Sequence, residues 1–382
     1  LPANHNGQRL VYEYTFDDTV HTYPIKVENT SLGFTSTAEY NLMYGKPTKT
    51  VDINGNIMQY EYDALGRTKK ITAPYELGNA NPYTIRMEYH PKNYGTLNIS
   101  GSGGQSYACT YHYDCQHPGN PIRTTLITDG LGRLLQTKKD AEIGRQEVSL
   151  VTGKVVYDCF GRTVKQYHPF TEDTVQYASY NDSVTIGTAT ETEYDILDRQ
   201  TRVKLPTHEV TRMEYGFGNI GGKTVFSATT TDAVNNSVQV LKGTLGQQLK
   251  QVAPYGTTTL FDYDCLGQLK KSTDPDGYET FYDYDMFGQM VHRKHPDAGN
   301  DKYVYDPAGN LIRHTNEMGE ILDYKYYFNQ LTDISCSHYP EYNVHYKYGT
   351  ASNANINAVG KVILQEDASG WQTFAYGKLG EI

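Results

Sequence analysis

Tyr263-Asp264-Cys265-Leu266-Gly267-Gln268, Tyr284-Asp285-Met286-Phe287-Gly288-Gln289 and Tyr305-Asp306-Pro307-Ala308-Gly309-Asn310 decide the fold. The three stretches recur every 21 residues, and Lys242 and Tyr326 hold the same register on either side. Asp favours the first position of a type I turn, where its carboxylate accepts backbone N–H groups, and Gly favours the fourth. A glycine in the left-handed region then returns the chain as a hairpin with right-handed twist. Before each turn the aromatic residues alternate: Phe261 with Tyr263, Tyr282 with Tyr284, Tyr303 with Tyr305, Tyr324 with Tyr326. Residues two apart on a strand share a face, so each unit presents an aromatic pair to one side. A return strand follows, as in residues 289–294. A second turn signal then closes the unit at Asp274-Pro275-Asp276-Gly277, Pro296-Asp297-Ala298-Gly299 or Glu317-Met318-Gly319. Two strands and two turns fill such a repeat.

Outward from this stretch the same unit reads Tyr62-Asp63-Ala64-Leu65-Gly66-Arg67 and Tyr157-Asp158-Cys159-Phe160-Gly161-Arg162. Degenerate copies are Thr128-Asp129 with Gly132-Arg133, Tyr194-Asp195 with Asp198-Arg199, and Tyr376-Gly377 with Gly380. The chain is therefore read as one hairpin array over residues 1–382. Residues 1–39 are degenerate repeats, 40–240 irregular repeats whose insertions form longer loops, 241–330 regular repeats and 331–382 degenerate repeats again. No segment shows a sustained apolar stripe of helical period. The expected fold is all-β, with repeated antiparallel hairpins forming a curved, open strip and almost no helix.

Composition agrees with many short strands and tight turns. There are 35 tyrosines and 35 glycines against one tryptophan, in a chain only 38% hydrophobic with a mean hydropathy of −0.62. Tyr suits half-buried pleated surfaces, and Gly suits turns of positive φ. A formal charge of −10 argues against a nucleic-acid partner, because phosphate neutralisation needs a basic surface. No apolar run reaches the length of a membrane-spanning helix. The start at Leu1, without Met or a signal-like segment, reads as an excised or processed piece.

The Tyr-Asp-x-x-Gly-Arg unit at a period of 21 residues, with a Gly turn midway, resembles the YD repeat of the Rhs family. That family includes bacterial polymorphic toxins, the B and C components of insecticidal Tc toxins, and teneurins. The resemblance runs from about Tyr40 to the C-terminus and is strongest over residues 263–310. It implies hairpins joined side by side into a strip that spirals into a hollow shell, enclosing a toxic domain in the toxin members. Nothing after Gly360 reads as the core-associated protease segment of the shell-closing members. About 18 repeats, each two strands wide, would make a ribbon of roughly 170 Å, on the order of one turn of a wide shell.

Other features have bland readings that outweigh the sharp ones. The recurring aspartates suggest glycosidase carboxylates or calcium ligands, but catalysis needs two differently tuned carboxylates, not one copied into every repeat; they are expected to cap turns. Arg67, Arg133, Arg162 and Arg199 suggest anion or glycan contact, and are expected instead to pair with a neighbouring hairpin's Asp or to stack on Tyr. Gly222-Lys223-Thr224 lacks the upstream glycine of a phosphate loop, since position 217 is Phe217. His112 with His117, and His292 with His295, are expected to be solvated or packed. Cys115, Cys159 and Cys265 each follow a strand-ending Asp and read as a variable turn slot. One extended strand carrying both Cys109 and Cys115 would hold them out of disulfide reach.

The functional expectation is a non-enzymatic shell segment that encapsulates or scaffolds a cargo or toxin domain of the same or a partner polypeptide, with no metal or cofactor. The resemblance places it as a secreted or cell-surface bacterial protein. The alternative is an extracellular adhesin-like module that binds glycan or a partner protein through its aromatic surfaces.

Overall fold

The computed structural model describes residues 2–80, 83–91, 105–152, 154–173, 178–181 and 188–382. Parts of the irregular section expected at 40–240 lie outside these residues. Among them are 31 strands, from β1 (Tyr12–Phe16) to β31 (Gly370–Thr373), all paired antiparallel in chain order but for one crossover. Among the described residues helix is confined to three short 3-10 turns, at Pro254–Gly256, Pro340–Tyr342 and Ala351–Ile356. The strip is thin. A globular protein of this mass would expose roughly 15,000 Å², whereas this chain exposes 23582 Å².

The Tyr-Asp turns are built from one carboxylate and one residue at positive φ. In the regular section Asp264 Oδ1 accepts the amides of Leu266 and Gln268, both at 2.9 Å, and Gly267 sits at φ +82°. Asp285 and Asp306 hold the same pairs of amides, with Gly288 at +82° and Gly309 at +90°. A one-residue register shift before each Asp marks a bulge, which tightens the strand twist at the turn. The backbone survives loss of either signature residue. Gly243 replaces Asp in the turn after Lys242, and Asp198 takes the left-handed position at φ +61°. Asp tolerates that region better than most residues. The link turns at the opposite edge use the same device, as at Asp274, whose Oδ1 accepts the amides of Asp276 and Tyr278.

The strip is not one uninterrupted sheet, as the hairpin pattern alone would suggest. A 12-stranded and a 19-stranded sheet meet within a single hairpin. Its distal half pairs β11 (Gln146–Thr152) with β14 (Phe170–Asp173), and its proximal half pairs β12 (Val155–Tyr157) with β13 (Thr163–Tyr167). Both halves keep one register, since Val151 faces Phe170 and Val155 faces Gln166. Pro169 falls opposite Thr152 in this register and has no N–H to donate, so the ladder opens there. Beside the opening, Lys138 Nζ and Glu172 Oε2 pair at 2.5 Å with side chains 1% and 6% exposed. Gln136 closes the same pocket through the backbone of Asn181.

The strip also meets itself. Asn4 Nδ2 donates to the Phe328 carbonyl at 2.9 Å, Phe328 N to Gln8 Oε1 at 2.8 Å, and His5 N to Asp306 Oδ2 at 3.2 Å. Further along, Val359 N donates to Asn54 Oδ1 at 2.9 Å and Lys378 N to the Tyr75 hydroxyl at 2.9 Å. These partners are 301 to 324 residues apart, so one coil of the strip consumes about that length. In every case a link-edge residue of the earlier coil meets a Tyr-Asp turn, or its equivalent, of the later coil.

Candidate functional site: the tyrosine face and the two edges

The alternation of each Tyr strand separates two surfaces. In Glu279–Tyr284 the side chains of Tyr282 and Tyr284 are half-buried while Phe281 and Asp283 point to solvent, and Tyr303 with Tyr305 repeats the arrangement. On the solvent side, directly opposed residues carry opposite charges, Glu39 with Lys49 at 3.0 Å and Glu193 with Arg202 at 2.6 Å, and His292 hydrogen-bonds the opposed Asp283 at 3.1 Å. Lys70 and Glu61 pair in the same way.

The other side is a lattice. The hydroxyl of each of several Tyr-Asp tyrosines donates to a carbonyl of the preceding hairpin: Tyr62 to Pro47 at 2.7 Å, Tyr89 to Thr68 at 2.8 Å, Tyr194 to Thr163 at 2.8 Å, Tyr326 to Leu311 at 3.0 Å. The accepting residue is each time the second after the turn's positive-φ residue. The residue between those two is Arg67 before Tyr89 and Arg162 before Tyr194, with Lys46 before Tyr62 and Asn310 before Tyr326, and wherever it is a cation it covers the same tyrosine. The Arg67 guanidinium lies 4.2 Å from the Tyr89 ring centre, Arg133 4.5 Å from Tyr157, and Arg199 4.3 Å from Tyr215. Tyr157 with Leu134 and Arg133 carries the lattice across the seam between the sheets.

The ionic partner of these arginines differs from the expected one. Arg67, Arg133, Arg162 and Arg199 bind the aspartate of their own turn through Nε, at 2.6 to 2.7 Å. The arginine four residues after the Asp folds back over the turn, closer to that carboxylate than to any neighbour's. Arg162 also reaches forward, to the Asp195 carbonyl and Asp198 Oδ1. Desolvation pushes the Asp63 carboxyl upward, yet the Arg67 side chain and the Arg67 and Leu65 amides together hold it below the usual carboxylate range. Asp129, Asp158 and Asp195 are held down in the same way. Burial raises the phenols of Tyr284, Tyr305 and Tyr326, so these stay neutral.

The remaining motifs resolve individually. Gly221 and Gly222, at φ +56° and +80°, form the two-residue turn of a long hairpin whose second strand begins at Lys223. His117 binds Asp114 at 2.8 Å, while His292 binds Asp283 and His295 Nδ1 accepts amides of its own link turn. Cys115, Cys159 and Cys265 are exposed; Cys109 is buried against the Thr125 hydroxyl at 3.4 Å. The strand carrying Cys109 ends at His112, so Cys115 lies off it in the link turn. Two open clefts of about 510 Å³ interrupt the surface. One, lined by Tyr111, Arg123 and Asp140, has the last two paired at 3.1 Å. The other, between Phe34 and Tyr348, lies where the coils overlap. Among the described residues no three His, Cys, Asp or Glu side chains converge as a metal site would need.

Residues 263–299 match the family described as RHS Repeat, and residues 110–215 match a domain of unknown function, DUF6443. No curated protein matches. The fold recurs in solved structures. The TcdB2-TccC3 crystal structure superposes with a TM-score of 0.79 at 17% identity, covering 98% of this chain and 22% of that one. TcdB2-TccC3-Cdc42 gives 0.75 at 16% identity, covering 97% and 26%. A Photorhabdus luminescens Tc holotoxin pore with a mutated TccC3 gives 0.75 at 15% identity, covering 97% and 24%. The chain thus spans about a quarter of the length of the structures it matches. Residues 263–299 carry an RHS repeat in the most regular section of the strip, and the coiled hairpin fold along the chain recurs in these Tc toxin structures.

Proposed function

We propose that this strip is a section of shell wall: a non-enzymatic structural element that encloses or scaffolds a cargo or toxin domain, in the same or a partner polypeptide, of a secreted bacterial protein. The supporting observation is where the polar groups of the tyrosine face are spent. Hydroxyls that would otherwise receive a ligand bind the carbonyl of the previous hairpin, and the guanidiniums that would contact an anion bind their own turn's aspartate. A surface so engaged serves cohesion. Coiling brings one edge of the strip onto the other, as a wall requires.

The test is limited proteolysis of the full-length product of the gene. Sequences outside the strip should resist cleavage until the strip itself unfolds, and Tyr326→Phe should lower the temperature at which that protection is lost. Cleavage of those sequences at the same rate with and without the folded strip would overturn the proposal. Saturable binding of an oligosaccharide, lost in Tyr284→Ala without loss of folding, would favour the adhesin reading instead.

A further inference from the structure

The chain contains two Asn-Gly dipeptides, Asn6-Gly7 and Asn54-Gly55. This pair is labile in water, because glycine has no side chain to shield its amide nitrogen from the asparagine side-chain carbonyl carbon. Both pairs occupy the same place in the fold, the third and fourth positions of a turn where the two coils meet. Asn4 Oδ1 accepts the amides of Asn6 and Gln8 at 3.0 and 2.9 Å, and Asp52 Oδ1 those of Asn54 and Asn56 at 2.9 and 2.8 Å. Each turn holds the attacking nitrogen: Gly7 N donates to the Asn4 carbonyl at 2.9 Å, and Gly55 N to the Asp52 carbonyl at 3.0 Å. The later coil holds the group to be attacked. Asn6 Nδ2 donates to the Tyr326 carbonyl at 3.3 Å, whereas Asn54 Oδ1 accepts from Val359 N at 2.9 Å. The two contacts therefore use opposite ends of the side-chain amide.

We propose that Asn6 and Asn54 are sites of spontaneous deamidation, restrained while the coils touch, and that conversion at Asn6 alone stops the contact from re-forming. Once a turn opens, the glycine amide nitrogen loses its proton and bonds to Cγ of the asparagine. The Cγ–Nδ2 bond breaks and ammonia leaves. Water then opens the cyclic imide, giving aspartate by attack at Cγ or isoaspartate by attack at the main-chain carbonyl carbon. At Asn6 the product replaces the donor to the Tyr326 carbonyl with an anionic acceptor. The neighbouring His5 N donates to Asp306 Oδ2 at 3.2 Å, and that carboxylate has no exposed side-chain surface. Two acceptors then face each other, and a second negative charge stands near Asp306. At Asn54 the bonded atom is already an acceptor, so the aspartate product keeps the Val359 amide. The inference rests on contacts within one chain and needs no cargo.

The experiment incubates the 382-residue chain in mildly alkaline buffer and follows aspartate and isoaspartate at each site by peptide mass spectrometry. Both sites should convert at least about tenfold more slowly in the folded chain than in urea, because reaction requires local opening. Gln8→Ala removes the acceptor of the Phe328 amide and should speed conversion at Asn6 but not at Asn54. Asn357→Gly removes the acceptor of Asn56 Nδ2 and should speed conversion at Asn54 but not at Asn6. Each acceleration should be about two- to tenfold, the extra opening that one lost hydrogen bond allows. The unaffected site in each variant reports that the rest of the coil is intact. Asn6→Asp should lower the thermal midpoint, and Asn54→Asp should not. Equal rates in the folded and unfolded chain, single variants that speed both sites or neither, or equal midpoints for the two Asp variants would each overturn the proposal. None of these outcomes bears on protection of cargo, so the wall reading stands or falls separately.

Discussion

The turns at Asp63, Asp129, Asp158 and Asp195 and those at Asp264, Asp285 and Asp306 share one backbone and differ in one side chain. In the first group the residue four after Asp is arginine, which ties its own carboxylate to the next hairpin's aromatic ring. In the second group it is Gln268, Gln289 or Asn310, and the amides of Gln268 and Gln289 lie over Gly288 and Gly309 of the next turn. The arginine turns coincide with irregular spacing, the broken ladder at Pro169 and the buried polar pocket beside it. The neutral turns coincide with strict spacing, where each strand pairs with its neighbours without interruption. Only the arginine turn at Asp158 borders the interruption; those at Asp63, Asp129 and Asp195 lie between strands that pair continuously, so there the arginine bridge adds to the backbone ladder.

The sharpest way to break this contrast is at the seam. Lys138→Met leaves the Glu172 carboxylate beside the opening, 6% exposed, without its ammonium partner. Removing one member of a buried pair costs about 3–5 kcal/mol. Chemical denaturation should show that loss in full. Lys271→Met, in the regular section, removes a half-exposed ammonium that pairs with Glu279 at 2.8 Å and Asp262 at 3.4 Å, and should cost no more than about 1 kcal/mol. Equal effects at the two sites would mean the seam is no more dependent on its side chains than the regular strip.

A smaller effect separates the turns themselves. Valine at a left-handed glycine costs about 1–3 kcal/mol through backbone strain alone. At Gly267 a Cβ would meet nothing within 4 Å, so Gly267→Val should show only that cost. At Gly66 the added Cβ would stand 2.7 Å from the Tyr44 ring of the preceding hairpin, so Gly66→Val should cost distinctly more. Thermal unfolding of the two variants decides it, and the reverse order would show that the arginine turns are the looser packed.

Some of this could be read from residues alone because its physics is local. Asp followed three residues later by Gly specifies a turn without reference to the rest of the chain, and Asp264 with Gly267 forms it. The alternation of Tyr282 and Tyr284 likewise fixed a shared face. The stacking of the arginines on tyrosine was expected and is present, but their pairing with their own turn's Asp was not, because spacing alone does not say whether a long side chain reaches forward or folds back over its own turn. The seam had one signal, Pro169, whose meaning depends on knowing that Thr152 stands opposite. The self-contact had none. Asn4, Gln8 and Asn54 are ordinary polar residues, and their partners at Phe328 and Val359 contribute backbone groups that carry no sequence signature.

The smallest expected effect is also the most selective, because it asks which part of the arginine matters. The carboxyls of Asp63, Asp129, Asp158 and Asp195 are held below the ordinary range in the folded strip. A depressed folded value means that the ionised carboxylate favours the fold. Its contribution is therefore fully present above the unfolded value near ~3.9 and is lost as pH falls through the folded one. Replacing Arg67, Arg133, Arg162 and Arg199 together with Gln copies the neutral turns into the irregular section. The fourfold variant should melt below wild type at pH 6, and the difference should shrink as the pH is lowered below about 4 and protonation progressively removes the carboxylates. If the arginines act chiefly by covering Tyr89, Tyr157, Tyr194 and Tyr215, the difference will instead be independent of pH. Added salt sorts the same two causes, since exposed ion pairs are screened and ring contacts are much less so.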